Sequence, residues 1–228
     1  MEIVKKLIGL IVLVTLIGAI VVAGLYVRYL IVSNNFTNYW TKKRIDSGEL
    51  VYVALGDSTA VGVGASTPQT SYVGIVAQNI QATTGKTVKV INLAQPGKHI
   101  RDVIKDQIPK LSEYHPDLVT VSVGANDVNS GEELDSINLD MDGMIGLLPS
   151  QTYLAEIPSV IDPQKNTKIQ KINDHLNKVV EVTGINIVPI YGATNAVKKD
   201  FSYLDYDLFH PNDKGYRLWA DTFIDAIK

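Results

Sequence analysis

The sequence predicts an α/β domain, a five-stranded parallel sheet between layers of helices, preceded by an N-terminal transmembrane helix. Three observations carry that prediction. From Leu50 onward, apolar β-branched runs of strand length alternate with runs whose apolar residues recur at helical spacing, the pattern of a doubly wound sheet. Small and polar residues follow the first three strand runs, as Gly56-Asp57-Ser58, Ala94-Gln95-Pro96-Gly97 and Gly124-Ala125-Asn126-Asp127. Ahead of the domain, Leu7–Val27 is an apolar run interrupted only by Thr15 and three glycines, close to the roughly 20 residues a helix needs to cross the hydrocarbon core of a bilayer.

The chain accordingly divides into an anchor or signal segment over 1–32, a linker over 33–49 and a catalytic-type domain over 50–228. Tyr26, Tyr29, Tyr39 and Trp40 lie at or beyond the far end of the apolar run, where aromatic rings favour the membrane interface. Retention as an anchor is the reading adopted. The alternative is a cleaved signal peptide with secretion of the rest, since Val21-Val22-Ala23 resembles a small-residue cleavage site. Lys5 and Lys6 favour an inside N-terminus, whereas Arg28, Lys42, Lys43 and Arg44 crowd the other flank. A very short N-terminal tail and the tolerance of long domains for translocation favour an extracytoplasmic domain. Ser33–Gly48 is polar and basic and reads as a linker without sustained periodicity.

Within the domain, the first strand run ends at Gly56, and Gly62–Thr70 is a small-residue loop. A helix follows from about Ser71, with Val73, Val76, Ala77 and Ile80 on one stripe and Gly85 to close it. Thr87–Leu93 is the second strand, and Ile100, Val103, Ile104 and Gln107 suggest a short helix ended or kinked by Pro109. Asp117–Val123 is the third strand. Met141, Met144, Ile145, Leu147 and Leu148 read as the buried face of a covering helix, with an acyl-chain pocket as the alternative. Thr152–Ile157 is the fourth strand, and Asp162-Pro163 caps a helix with its stripe at Ile169, Ile172, Leu176, Val179 and Val180 and its stop at Gly184. Ile185–Tyr191 is the fifth strand. A last helix after Pro211 turns Tyr216, Trp219, Ala220, Phe223 and Ile227 to the sheet.

A net charge of −3, with charges spread along the chain, gives no electrostatic case for a nucleic-acid partner. The absence of cysteine excludes a Cys nucleophile, a disulfide framework and a Cys-rich metal site.

A strand that feeds a tight turn can hold the Ser58 hydroxyl at the rim of a sheet, where ligands bind beyond the strands' carboxyl ends. That hydroxyl needs a base. Of the four histidines, His175 lies on the long helix and His115 enters the third strand at the opposite end. His99, just after Gly97, is a lesser competitor for His210 in Asp207-Leu208-Phe209-His210-Pro211. An aspartate three residues before a histidine can reach Nδ1 and leave Nε2 for the serine proton. The same pair also fits a helix cap with an exposed histidine, or two metal ligands. Gly97 offers an unobstructed N–H and Asn126 a side-chain amide as oxyanion donors, though each also suits a plain turn role. Asp57 and Asp127 read as carboxylates that tie strand-end loops together.

Gly56-Asp57-Ser58 with Gly62, Asn92 with Gly97, Gly124-Ala125-Asn126-Asp127, and Asp207-Leu208-Phe209-His210-Pro211 resemble, in order, the four blocks of the SGNH (GDSL) hydrolase family. The resemblance spans about Val51 to the C-terminus and departs from the family name at Thr59. It implies a flavodoxin-like, three-layer α/β/α fold with five parallel strands. It also implies Ser58 as nucleophile, His210 as base then acid, Asp207 as orienting acid, and Ser58, Gly97 and Asn126 as the oxyanion hole. No cofactor or metal is implied. The expected activity is that of a membrane-anchored serine esterase on acyl esters of the lysophospholipase, thioesterase or short-chain type. Alternatives are an O-acetyl esterase of cell-envelope glycans, a non-catalytic binding module, and a metal-dependent hydrolase using Asp57, Asp207 and His210.

Overall fold

The run Leu50–Gly56 is apolar almost throughout because, as strand β1, it is covered on both faces. The computed structural model describes residues 1–42 and 48–228. β1 is followed by β2 (Val88–Asn92), β3 (Leu118–Ser122), β4 (Thr152–Ala155) and β5 (Asn186–Val188). All pair in parallel in one sheet of order β2-β1-β3-β4-β5. The helices are α1 (Glu2–Lys42), α2 (Ser58–Val61), α3 (Tyr72–Thr84), α4 (Ile100–Asp102), α5 (Ala125–Asn129), α6 (Leu134–Ile145), α7 (Pro163–Thr183), α8 (Ile190–Val197) and α9 (Asp213–Ile227).

Side chains alternate across a strand, so β1 feeds two cores. Val53 and Leu55 pack with Val119, Val121 and residues of α6 and α7, including Met141, Met144, Ile169 and Leu176. Tyr52 and Ala54 face the other way, onto Tyr72 and Val76 of α3 and Tyr216, Trp219 and Phe223 of α9. The rings of Tyr72 and Phe223 stack there at 4.7 Å. The result is the expected three-layer α/β/α arrangement.

The helix caps follow local chemistry. Asp162 accepts hydrogen bonds from the N–H groups of Gln164 and Lys165 with Pro163 in the first turn, and Gly184 closes α7 in the left-handed conformation. Met141, Met144 and Ile145 are core residues, as the covering-helix reading holds, while Leu147 is exposed.

Two expectations are corrected. The linker reading over 33–49 fails for its first ten residues, because α1 runs without a break to Lys42. Tyr29, Val32, Phe36 and Trp40 recur at helical spacing and pack beside α2 and β2 against the core that also holds α3 and α9. Residues 43–47, including Lys43 and Arg44, lie outside the described residues. The fifth strand ends at Val188 rather than Tyr191, and α8 begins at Ile190. Pro189 between them has no N–H to extend the ladder.

Helix α1 is long and apolar enough to cross a membrane. Large apolar side chains from Ile3 to Val27, Leu13 and Ile20 among them, are exposed.

Candidate active site

The turn after β1 is held from both sides. Gly56 has φ +135°, and a Cβ there would lie 1.9 Å from the Ser122 carbonyl oxygen, so only glycine fits. Its N–H donates to Gln107 Oε1 at 2.8 Å, and its C=O accepts from Gln107 Nε2 at 2.9 Å. Gln107 ends a π-helical turn, Val103–Gln107, inserted after α4. Asp57 then caps α2, accepting from the Thr59 N–H at 2.9 Å and the Thr59 hydroxyl at 2.7 Å. Burial raises the Asp57 carboxyl to about 6, against the lowering pull of the Thr59 hydrogen bonds and the His210 charge. Ser58 opens α2 and is 4% exposed.

The second half of the site comes from the segment between α8 and α9. An antiparallel bridge from Leu204 to Pro211 closes it. The Asp205 N–H donates to the His210 carbonyl at 2.8 Å, and Leu208 adopts φ +55°, a strained value for a branched residue. Asp207 Oδ1 accepts from the N–H groups of Phe209 and His210, both at 2.9 Å. Its Oδ2 lies 2.6 Å from His210 Nδ1, and His210 Nε2 lies 2.8 Å from Ser58 Oγ. A carboxylate at Nδ1 keeps the proton there, so the Ser58 hydroxyl donates to Nε2. Burial pushes the Asp207 carboxyl up, but the His210 ring and the two N–H donors outweigh it and hold it at about 2. Tyr29 stacks on the imidazole with ring centroids 5.7 Å apart, and Phe209 meets it edge-on at 4.9 Å.

Ser58, Gly97 and Asn126 follow the carboxyl ends of β1, β2 and β3, which are neighbours in the sheet. Asn126 Nδ2 donates to the Lys98 carbonyl at 2.9 Å, tying the Gly97-Lys98 turn to β3. Gly97 is exposed with φ +77°, and a Cβ there would meet open space. Asn92, at the end of β2, donates to the Ala60 carbonyl of α2 at 2.7 Å.

The other histidines are engaged elsewhere. His99 Nδ1 faces Glu132 at 3.1 Å and Asp127 at 3.5 Å. These three could offer ligand atoms to a cation, but Asp127 already accepts from the Ile100 N–H. His175 pairs with Asp142 at 2.8 Å, and His115 precedes Pro116 with φ +47°. The carboxylates of Asp57 and Asp207 turn to different partners, so the suggested metal trio with His210 shares no common ligand point.

A cavity of about 170 Å³ adjoins the site, with Thr59, Ala125 and Phe209 among its walls beside Val160, Leu204 and Trp219. Its lining is mostly apolar. The alternative reading of the α6 residues as an acyl-chain pocket does not hold, because none of them lines this cavity. The sequence does not single out Gln107 or Tyr29 for the site. The helical spacing of Tyr29, Val32, Phe36 and Trp40 was the available signal for the latter.

The sequence model of the GDSL-like lipase/acylhydrolase family matches residues 54–218. The spore germination lipase LipC of Bacillus licheniformis is 22% identical over 205 residues, covering 75% of this chain and 93% of that protein. Among solved structures, a variant of Axe2, an acetyl xylan esterase from Geobacillus stearothermophilus, superimposes with a TM-score of 0.66 at 20% identity, covering 79% of this chain and 95% of that one. The lipase/acylhydrolase from Enterococcus faecalis gives 0.64 at 22%, covering 78% and 95%. The chain belongs to the GDSL-like lipase/acylhydrolase family and is an ester hydrolase.

Proposed function

We propose that the protein is a membrane-anchored serine esterase that cleaves acyl esters through an acyl-enzyme. The observation that carries this reading is the unbroken hydrogen-bond chain from Ser58 Oγ through His210 to Asp207, at 2.8 and 2.6 Å. Ser58 attacks the ester carbonyl as His210 Nε2 takes its proton, and Asp207 stabilises the imidazolium. The oxyanion is held by the N–H groups of Ser58 and Gly97 and the Asn126 amide. His210 returns the proton to the departing alkoxide. Water then attacks the acyl-Ser58 as His210 takes its proton. His210 returns that proton to the Ser58 oxygen as its bond to the acyl carbon breaks and the carboxylic acid leaves.

The apolar cavity beside Thr59 and Phe209 supports an acyl chain as the group bound next to the nucleophile. The exposed apolar first half of α1 supports retention in a membrane, with the domain on the extracytoplasmic side. Residues 50–228 carry the catalytic fold.

A chain-length series of p-nitrophenyl esters, assayed beside an acetylated glycan, tests this. Turnover is expected to rise with acyl length to the limit of the cavity, and Ser58→Ala to lower kcat about 10⁴-fold or more. Turnover unchanged in Ser58→Ala would overturn the mechanism. A preference for the glycan acetyl group would replace the acyl-ester reading with the O-acetyl esterase one. Failure to label with a fluorophosphonate would leave a binding module.

A further inference from the structure

Helix α1 does not end with its apolar run. Arg28 and Tyr29, the first residues past Val27, both reach the segment that carries Asp207 and His210. The Arg28 guanidinium grips the Asp205 carboxylate with both terminal nitrogens, Nη2 to Oδ1 at 3.1 Å and Nη1 to Oδ2. That carboxylate side chain is 7% exposed. Asp205 in turn organises the loop, since its N–H donates to the His210 carbonyl and its C=O accepts from the Leu208 N–H. The ion pair therefore holds the residue that closes the turn around His210.

One residue later, the Tyr29 ring lies nearly parallel to the imidazole, with 22° between planes. Further along, Phe36 is buried, and the Trp40 indole N–H donates to the Val61 carbonyl at 2.9 Å. Val61 ends the short helix that Ser58 begins. The second half of α1 thus touches both halves of the site, the base through Tyr29, the base's loop through Arg28, and the nucleophile's helix through Trp40.

We infer that the second half of α1 is a working part of the catalytic site, with Tyr29 and Arg28 as positioning residues that hold the His210 ring against Ser58. The inference rests on the roles proposed above for Ser58 and His210. Its physical basis is threefold. A loop with Leu208 at φ +55° keeps that strain only where surrounding contacts over-determine it. Proton transfer between Ser58 and His210 depends on sub-ångström placement of the ring. A stacked phenol also presents its electron-rich face to the imidazolium formed when Ser58 is deprotonated. Tyr29 follows the last residue of the apolar run by two positions, about 3 Å along the helix axis. The same contacts therefore set the base beside the boundary between the apolar and polar parts of α1, where an ester group of a membrane lipid would lie.

The test uses the full chain in detergent micelles and a soluble short-chain p-nitrophenyl ester. Tyr29→Ala is expected to lower kcat about tenfold to a hundredfold with KM held within about twofold, and Tyr29→Phe to restore most of the loss. Arg28→Gln is expected to lower kcat in the same way, with Arg28→Lys between it and the native chain because a single ammonium cannot make the paired contact. Tyr29→Leu keeps apolar bulk without the ring and carries the test if the alanine variant does not fold. A folded Tyr29→Ala or Tyr29→Leu protein with native kcat overturns the inference, as does an equal loss in Tyr29→Phe. A second readout needs no turnover: the proton NMR signal of His210 Nδ1–H is expected to move in Tyr29→Ala. If the native chain hydrolyses nothing, the esterase reading falls, and an unmoved signal would then separately refute the positioning role.

Discussion

The turn that presents Ser58 and the loop that presents His210 meet at one hydrogen bond, yet they are held by different means. The Ser58 turn is locked inside the sheet. Gly56 admits no side chain, and Gln107 satisfies both of its main-chain groups. Asp57 and Thr59 then fix the start of α2. The His210 loop lies at the surface, with Tyr206 at 77% and Leu208 at 60% exposure. It is held by one bridge, by its own aspartates, and by a helix 177 residues earlier in the chain. A buried, fully paired turn resists displacement, whereas an exposed loop of few apolar contacts moves at low cost. Damage to the first should therefore appear in stability, and damage to the second in activity.

The largest separation is expected at Asp207. Asp207→Asn should lower kcat about 10³-fold or more, because the imidazole loses its tautomer control and its counter-charge. Its thermal midpoint at neutral pH should fall by only a few degrees, the carboxylate's own contribution to stability, which is small beside the loss of activity. With its carboxyl held at about 2, below the ordinary 3.8, the stability Asp207 contributes is complete above about pH 4 and drains only as pH falls through about 2. A midpoint at neutral pH that drops as steeply as activity would erase the contrast between loop and turn.

Gln107→Leu probes the other side. It leaves the buried N–H of Gly56 without its partner, at about 1–3 kcal/mol. It also takes from the Gly56 C=O the shorter of its two donors, the Gln95 N–H at 3.2 Å remaining. A loss of about 1–3 kcal/mol in urea unfolding is expected, with the slope unchanged. If the urea midpoint stays where it is in the native chain, the turn is not held as described.

A smaller effect is expected at Asp57. Its carboxyl is raised from 3.8 to about 6 by burial, so the stability it permits is complete below about pH 4 and is lost as pH rises through about 6. Asp57→Asn keeps an acceptor for the Thr59 N–H and carries no charge. The stability of that variant relative to the native chain should grow by on the order of 2 kcal/mol between about pH 4 and pH 7. A difference that stays flat across this window would show that the Asp57 charge is solvated in the folded protein.

Taken element by element, the amino-acid sequence alone determined the alternation of strands and helices, because apolar periods of two and 3.6 residues are local properties. It marked Gly56-Asp57-Ser58 and Asp207–His210 for the same reason. A glycine that must take a positive φ, a capping carboxylate and an aspartate three residues before a histidine are all written within a few positions. It also marked the caps of α7. The tertiary structure decided the rest. Gln107 serves a glycine 51 residues away, and Arg28 an aspartate 177 residues away. Whether 33–42 is linker or helix turned on contacts with α2, β2 and the core beneath them that exist only after folding. The apolar pocket likewise formed from α2, α5, α8, α9 and the loops beside them, with no wall from α6. Local patterns state what a segment can become, while contacts between distant segments choose its neighbours, and only the folded chain records that choice.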